Sequence, residues 1–213
     1  TPHNPTGSVT GHDDLAALVA TARASDTLLM SDECYVDVYE ESAFPSGPGS
    51  VLQHAGEGAP GVLAFFSCSK RSGMTGYRSG AMVGDPEAIA ALKRLRTATG
   101  TASPEFVQAA AAAAWGDDDH AATRRATFAR KRAVLRPAFT NLGMEVVASQ
   151  AGLYMWVKVE DDLATTERLL EAGIVVSPGR FFGEGGEGFL RLALVPTVAE
   201  CEAAVAAIEE ALT

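Results

Sequence analysis

Residues 61–80, GVLAFFSCSKRSGMTGYRSG, give the strongest indication of the architecture of this chain. The stretch opens with an apolar run, residues 61–66, which turns polar before the lysine at position 70. A second apolar run, residues 27–30, ends in the same way just before Asp32. Continuous apolar runs that alternate with helical segments are typical of a parallel sheet covered on both faces. Because ligands bind beyond the carboxyl ends of such strands, we expect the chemistry at these two ends.

Outward from this stretch, the apolar spacing predicts two regions of different composition. Helical patterns and one further strand, residues 77–83, surround the two runs; the predicted helices cover residues 13–24, 86–97, 103–115 and 117–139. After residue 143 the predicted strands are short and lie at residues 145–148, 154–159, 174–176 and 189–194, with helices over 161–172 and from 198. We therefore predict a partial large α/β domain in residues 1–116, and an interdomain helix with a small α+β domain in residues 117–213. One continuous domain remains the alternative.

The composition excludes several classes of function. The chain has 213 residues, 47% of them hydrophobic and 21% charged, which is ordinary for a globular protein. A formal net charge of -10 argues against general binding to nucleic acid or to an anionic membrane. Three scattered cysteines match neither a disulfide framework nor a zinc site, so we expect a cytoplasmic protein. The histidines show no ligand spacing, and we predict no metal.

Five motifs carry the candidate chemistry, and each of them alone has an ordinary structural interpretation. The first, residues 4–7, reads as a turn, and Asp32 as a helix cap. Lys70 alone would be a surface lysine, and Arg191 a salt-bridge partner. The basic residues between Arg124 and Arg136 are interpreted as a solvated helix face rather than as a nucleic-acid site. The order and spacing of the five motifs change this interpretation.

Taken together, the five motifs resemble the class I and II aminotransferases, which are fold-type I enzymes that depend on pyridoxal 5'-phosphate. They are Asn4-Pro5-Thr6-Gly7, Asp32-Glu33-Cys34-Tyr35, Ser67-Cys68-Ser69-Lys70, Arg78 and Phe189-Leu190-Arg191. The similarity covers nearly the whole chain, and residues 67–80 are its most specific part. The resemblance implies the C-terminal part of the fold: a truncated, mostly parallel large domain followed by a small α+β domain.

The resemblance also assigns roles toward the cofactor. Lys70 is the lysine that forms the Schiff base with the cofactor aldehyde and moves the proton of the substrate α-carbon. Asp32 would lie beside the pyridine nitrogen, where a carboxylate favours the protonated ring. Tyr35 and Asn4 resemble the donors to the phenolic oxygen. The phosphate would be bound by Ser67, Ser69 and Arg78, because an arginine matches a dianion in geometry and charge.

The expected substrate contacts are Arg191 and Asn4. Arg191 lies in an apolar strand, where an unpaired charge would be costly, and a bound α-carboxylate would offset that cost. The implied reaction moves an amino group between an amino acid and a 2-oxo acid. Within the family, residues 31–35 and 69–80 look most like those of succinyldiaminopimelate aminotransferases, which use glutamate in lysine biosynthesis. Two alternatives stay open: another pyridoxal enzyme such as a C–S β-lyase, or the aminotransferase-like domain of a transcription regulator.

The start of the chain carries an expectation of its own. Thr1 to Gly7 is turn chemistry with no preceding element, which indicates a missing N-terminal segment. In the family, that part supplies further phosphate contacts and much of the contact between the two subunits of a homodimer. We therefore expect the 213-residue chain alone to bind the cofactor poorly and to be inactive.

Overall fold

A computed structural model of the protein describes residues 1–100 and 102–213. Its contacts divide the chain into two compact units, Thr1–Pro2 with Val9–Arg124, and His3–Ser8 with Arg125–Thr213. The assignment of residues 1–116 and 117–213 to two domains stays a prediction. Among the residues that the structure describes, no helix is both long enough and apolar enough to cross a lipid bilayer.

The first unit contains a three-stranded sheet with helices around it. Its elements are α1 (His12–Ala24), β1 (Leu29–Asp32), β2 (Val62–Ser67), α2 (Cys68–Arg71), β3 (Gly80–Gly84), α3 (Pro86–Thr99), α4 (Glu105–Trp115) and the start of α5 (Asp119–Thr140). The strand order is β1-β2-β3. The strands β1 and β2 are parallel, with Leu29 opposite Val62 and Asp32 opposite Phe65. Their carboxyl ends therefore lie at the same edge of the sheet, as the apolar runs predict.

The third strand is shorter than predicted and runs the other way. It begins at Gly80 instead of residue 77, and it pairs antiparallel with β2. A turn of 3-10 helix covers Thr75–Tyr77, and Arg78 follows in the left-handed conformation with a φ of 52°. A Cβ atom at Gly80 would lie only 2.6 Å from the carbonyl oxygen of Phe66, so this close approach of β3 to β2 requires glycine.

The core of the first unit is formed by apolar side chains of α1, β2 and the segment between β1 and β2. Its buried members are Leu15, Val19, Val51, Ala55, Val62 and Ala64. Leu15 and Val19 are one helical turn apart, so both side chains lie on the same face of α1. Along β2, burial is complete at its first three residues and decreases toward Ser67. The strand is therefore anchored at its amino end and presents polar groups at its carboxyl end.

The second unit is an antiparallel sheet with helices. After the end of α5, its elements are β4 (Val146–Val147), β5 (Tyr154–Lys158), α6 (Asp162–Glu171), β6 (Ser177–Pro178), β7 (Phe189–Ala193) and α7 (Val198–Leu212). The strand order is β4-β5-β7-β6. Alternate residues of β7, Leu190 and Leu192, are buried, and Arg191 between them points to the other face.

One predicted strand of this unit is wrong. Residues 174–176 form no strand, and β6 is limited to Ser177–Pro178. The amide of Ile174 donates to the carbonyl oxygen of Leu169 (2.8 Å), which closes the end of α6 instead of joining the sheet. Gly173, with a φ of 80°, allows this turn. The apolar residues that follow the helix are therefore part of its termination.

The basic residues of α5 are also different from the prediction of a solvated face. Lys131 and Arg132 are buried, with 6% and 1% of their surface exposed. The Lys131 ammonium donates to the carbonyl oxygen of Leu194 (3.0 Å), and Arg132 donates to the carbonyl oxygen of Gly152. Their long side chains thus satisfy backbone carbonyls inside the second unit.

Candidate active site

The common edge of β1 and β2 collects the first group of predicted site residues. Asp32 is the last residue of β1, and Ser67 is the last residue of β2. The amide of Glu33 donates to the carbonyl oxygen of Phe65 (2.9 Å), which continues the pairing past the end of β1. Tyr35 lies in the turn after β1, and the sequence after β2 continues directly into α2 with Lys70. The polar ends of the two runs thus lie together.

Lys70 lies in α2, whose four residues follow β2 without a loop. The hydroxyl of Ser67 caps this helix by accepting the amide proton of Ser69 (3.1 Å). The Lys70 ammonium lies 5.6 Å from the centre of the Tyr35 ring. Among the described residues, none forms a hydrogen bond or an ion pair with this ammonium. The amine is therefore held beside Tyr35 and remains available for a ligand.

Asp32 is exposed at the end of its strand, where one carboxylate oxygen accepts the amide proton of Cys34 (3.0 Å). Burial of the Cys34 thiol, together with its hydrogen bond to Asp32 and the negative charge there, raises the pKa of the thiol to about 12. The thiol is therefore protonated at neutral pH and is no nucleophile. In the parts of the chain that the structure describes, no three or more His, Cys, Asp or Glu side chains are grouped so that they could hold a metal ion.

The predicted phosphate ligands lie on α2 and directly before β3. Ser67 pairs with Gly80 across the β2–β3 ladder, and Arg78 lies two residues before Gly80. One nitrogen of Arg78, Nη1, donates to the carbonyl oxygen of Thr75 (3.1 Å), and the side chain is exposed. Its other N–H groups have no partner among the described residues. The structure thus places hydroxyl and guanidinium donors at the same end of β2, where they can bind an anion.

The second unit holds Arg191 between two aromatic rings. The centre of its guanidinium group lies 4.5 Å from the centre of the Tyr154 ring and 4.4 Å from that of Phe182. Its Nη2 donates to the hydroxyl of Ser177 (3.3 Å), and its Nη1 to the side-chain oxygen of Asn4 (3.2 Å). The Nε is buried without a partner. No carboxylate of the described residues forms an ion pair with Arg191.

Asn4 reaches Arg191 because the turn in which it lies is fixed within the second unit. The amide of Ser149 donates to the carbonyl oxygen of Thr6 (3.1 Å). A Cβ atom at Gly7 would lie 2.5 Å from the carbonyl oxygen of Ala151, so only glycine permits this contact. The Asn4-Pro5-Thr6-Gly7 motif is therefore more than a solvent-exposed turn: it holds the Asn4 amide against the arginine.

The residues that directly follow Lys70, and the residues they contact, form a second group that no motif in the sequence indicates. Arg71 is only 5% exposed and forms ion pairs with Asp37 (2.8 Å) and Asp118 (2.5 Å). Burial lowers the pKa of Arg71, but the hydrogen bond that Arg71 donates to Asp118 and the charge of Asp37 outweigh this effect, and the pKa is raised. His120 lies within hydrogen-bond distance of Ser72 (2.9 Å). The only signal in the sequence is a cationic residue directly after Lys70, and its two acidic partners lie 34 and 47 residues away.

Comparison with curated proteins identifies related enzymes. The chain is 39% identical over 208 residues to a 4-dedimethylamino-4-oxo-anhydrotetracycline transaminase of Streptomyces rimosus, an alignment that covers 96% of this chain and 57% of the relative. It is 35% identical over 211 residues to an LL-diaminopimelate aminotransferase of Dehalococcoides mccartyi, with 96% and 53% covered. The chain thus spans about half the length of the curated relatives it matches.

A solved structure and a model of the family agree with this result. The structure is a probable N-succinyldiaminopimelate aminotransferase of Thermus thermophilus, with a TM-score of 0.84, 29% identity, and coverage of 99% of this chain and 56% of that one. The predicted fold, the α/β fold of the fold-type I enzymes, is confirmed. A model of the family described as aminotransferase class I and II matches residues 1–208. The chain therefore belongs to the class I and II aminotransferases.

Proposed function

We propose that the protein is a pyridoxal-phosphate-dependent aminotransferase, which moves an amino group between an amino acid and a 2-oxo acid. The observation that carries the proposal is the common edge of β1 and β2, where Asp32 ends one strand and Lys70 follows the other. In the proposed cycle, an amino acid leaves its amino group behind and departs as a 2-oxo acid before the second 2-oxo acid enters. This is a ping-pong order.

The side chains at this edge fit pyridoxal 5'-phosphate, the cofactor that members of the family use. An unengaged lysine amine, such as that of Lys70, suits an aldehyde. The carboxylate of Asp32 suits a protonated ring nitrogen, and the guanidinium of Arg78 with the hydroxyls of α2 suits a phosphate dianion. When bound, the cofactor supplies an electron sink for the electron pair left on the substrate α-carbon.

Lys70 has two tasks in this proposal. Its amine would hold the cofactor, and the same amine would take the proton from the α-carbon of the bound substrate. The position of Lys70 in a capped helix supports both tasks, because the backbone that carries the side chain is hydrogen-bonded on the strand side. A proton transfer of this kind requires the amine within hydrogen-bond distance of the reacting carbon.

Arg191 is proposed to bind the α-carboxylate of the substrate. The rings of Tyr154 and Phe182 contact its guanidinium group, which limits the side chain to one position. The hydrogen bonds to Asn4 and Ser177 hold it further, and they leave donors free for a bidentate carboxylate. A half-buried arginine with a buried, unpartnered Nε and no carboxylate among the described residues would gain from a ligand that supplies one.

For the substrate pair we propose N-succinyl-diaminopimelate and glutamate with their 2-oxo acids, and hence a role in lysine biosynthesis. Support comes from two similar proteins, an LL-diaminopimelate aminotransferase and a probable N-succinyldiaminopimelate aminotransferase. The Streptomyces rimosus relative is named for a different substrate, 4-dedimethylamino-4-oxo-anhydrotetracycline. We also propose a cytoplasmic homodimer, as is usual for this family.

The test is reductive labelling of the protein as encoded by its gene. The protein is incubated with pyridoxal phosphate, its visible absorbance is recorded, and borohydride reduction followed by peptide mapping locates the modified lysine. We expect the label on Lys70, its loss in Lys70→Ala, and unchanged labelling in Lys93→Ala, a matched control because Lys93 is an exposed lysine of the same unit. Product analysis with glutamate and 2-oxo acids then tests the reaction.

The outcomes separate the alternatives. Amino transfer to a 2-oxo acid supports the proposal, and a turnover that releases ammonia and a thiol from a cysteine conjugate would indicate a β-lyase instead. Labelling of Lys70 without turnover of any amino acid would indicate a regulatory domain that retains the cofactor. No label on Lys70 contradicts the central assignment.

A further inference from the structure

Two residues that directly follow Lys70 are connected to a distant part of the first unit. We call residues 67–72 the lysine segment and residues 115–120 the α4–α5 junction. Arg71 and Ser72 belong to the former, and their partners Asp118 and His120 belong to the latter. Arg71 and Asp118 are 47 residues apart in the sequence, and Ser72 and His120 are 48 residues apart. The connection is therefore a product of the fold.

The first tie to the junction is formed by Arg71. Its Nη2 donates to the Asp118 carboxylate (2.5 Å) and to the carbonyl oxygen of Asp117 (3.1 Å). Its Nη1 donates to the Asp37 carboxylate (2.8 Å), in the segment after β1. The centre of the guanidinium group lies 5.5 Å from the centre of the Trp115 ring. Contacts from both terminal nitrogens of one planar group to separate partners fix an arginine in one orientation, and they hold the end of α2 from two directions.

The second tie is formed by Ser72 and His120. The Nε2 atom of His120 lies 2.9 Å from the Ser72 hydroxyl, and its Nδ1 atom lies 3.3 Å from the Asp117 carboxylate. Because a carboxylate only accepts, Nδ1 of the neutral ring carries the proton, and Nε2 accepts from the serine. The other oxygen of Asp117 accepts the amide protons of Asp119 (2.9 Å) and His120 (3.2 Å) and thereby caps α5.

The order serine, histidine, aspartate is also that of a hydrolytic triad, but the backbone here does not support that chemistry. An acyl-transfer site needs N–H groups that are free to bind an oxyanion. The amides of Ser72 and Met74 both donate to the carbonyl oxygen of Cys68, at 2.9 and 3.3 Å. Both amides are thus engaged by Cys68 and are not free to bind an oxyanion. The contact of Ser72 with His120 is therefore a structural tie.

We propose that the α4–α5 junction is a positioning element for Lys70, which it holds in place through Arg71 and Ser72. This inference rests on the proposed role of Lys70. The lysine side chain leaves a helix of only four residues, which has little stability of its own. Its backbone direction is therefore set by what the residues on either side of the lysine contact. Ser67 fixes the start of the segment, and the two ties fix its end.

The experiment compares Arg71→Met, Arg71→Lys and Ser72→Ala in the protein as encoded. Arg130→Met serves as a matched control, since Arg130 forms an exposed ion pair in the other unit. Hydrogen exchange of the cofactor-free protein measures the order of the lysine segment, with the amides of α1 as an internal reference. Borohydride labelling at increasing concentrations of pyridoxal phosphate measures how readily Lys70 binds the cofactor.

We expect Arg71→Met to speed up exchange in residues 67–74 about tenfold and to raise the apparent dissociation constant for the cofactor about tenfold. Arg71→Lys should recover part of both effects, because a lysine keeps the charge but lacks the planar fork. Exchange in α1 and all values of Arg130→Met should remain those of the wild type. A purely structural role would instead alter exchange throughout the unit.

Unchanged exchange and labelling in folded Arg71→Met would overturn the inference. If Arg71→Met does not fold, Ser72→Ala decides: it removes only the hydroxyl that His120 contacts, and wild-type exchange in this variant would also overturn the inference. A wild-type protein without label on Lys70 would contradict the proposed function, and the exchange arm would then still decide whether the junction orders the lysine segment.

Discussion

Two arginines of this protein, Arg71 in the first unit and Arg191 in the second, lie in opposite surroundings. Arg71 is almost fully buried and is neutralised by Asp37 and Asp118. Arg191 is half-buried between Tyr154 and a second aromatic ring, and the described residues give it no carboxylate. Counterions within the fold offset the cost of desolvating a cation, whereas a partly buried cation without them is a candidate site for an anionic ligand. The partners of an arginine thus distinguish structure from function better than its burial does.

The largest expected effect concerns Arg191, because a substrate carboxylate would be its only ionic partner. In Arg191→Leu we expect kcat/KM for the amino acid to fall roughly a thousandfold, since losing a charged hydrogen-bonding partner in a desolvated site costs about 4 kcal/mol. The melting temperature should change little, because Arg191 forms no ion pair with the residues that the structure describes. Steady-state kinetics and a thermal melt measure the two quantities.

Arg191→Lys is the control for this prediction. It keeps the positive charge but loses the bidentate geometry, so we expect an intermediate loss of kcat/KM. Added 2-oxoglutarate should raise the melting temperature of the wild type and of Arg191→Lys more than that of Arg191→Leu. A large loss of stability in Arg191→Leu without any change in kinetics would show that Arg191, like Arg71, is structural.

An intermediate effect is expected at Asp162, which lies in the second unit and has an arginine partner. Arg180 donates to its carboxylate through Nη2 (2.6 Å) and Nε (3.1 Å), and the amide of Arg180 donates as well (3.0 Å). The side-chain hydrogen bond from Arg180, working against the burial of the carboxylate, holds the pKa of Asp162 well below its usual range. The unfolded chain therefore binds this proton at a higher pH than the folded one, and the stability from the pair is present above about pH 4 and is lost as the pH falls further.

We expect Asp162→Asn to lower the free energy of unfolding by about 2 kcal/mol at pH 7. This loss is smaller than that for breaking a fully buried ion pair, because Arg180 is 38% exposed and solvent screens its charge. Below pH 4 the difference from the wild type should shrink, which denaturation at several pH values measures. The control is Asp161→Asn. Asp161 caps the start of α6, and because an asparagine at this position can still cap the helix, the free energy of unfolding should hardly change. A difference from the wild type that does not depend on pH would contradict the assignment to ionisation.

The strand that ends at Asp32 and the strand that precedes Lys70 could be predicted because their signal is local. The run before Ser67 is apolar over its whole length, and a strand buried in this way needs no knowledge of its neighbours. The segment at residues 174–176 shows the limit of such patterns. It is equally apolar, but the amide of Ile174 is used by the end of α6, and this competition depends on the geometry of the helix end. Likewise, the antiparallel direction of β3 depends on its pairing with β2, which a local apolar pattern does not reveal.

The residues of the candidate site also fall into those that the sequence indicates and those that only the fold brings together. Lys70, Asp32 and Arg191 could be proposed because the five motifs together resemble the class I and II aminotransferases. Arg71 and His120 could not, since their partners lie 34 to 48 residues away and no spacing announces them. Lys131 and Arg132 differ from the predicted solvated face for a related reason. The sequence gives the charge of a basic run on a helix, but not the carbonyl oxygens to which its side chains donate.

The smallest expected effect completes the series of arginines. Arg130 forms an ion pair with Glu202 (3.1 Å), and the two side chains are 66% and 50% exposed. Because both charges are solvated, we expect Arg130→Met to change the free energy of unfolding by less than about 0.5 kcal/mol, and a double-mutant cycle with Glu202→Gln to give a coupling that disappears in high salt. Chemical denaturation at low and high salt measures both. A coupling above about 1 kcal/mol that persists in high salt would contradict this expectation, because it would mean that exposure does not limit what an ion pair contributes to this fold.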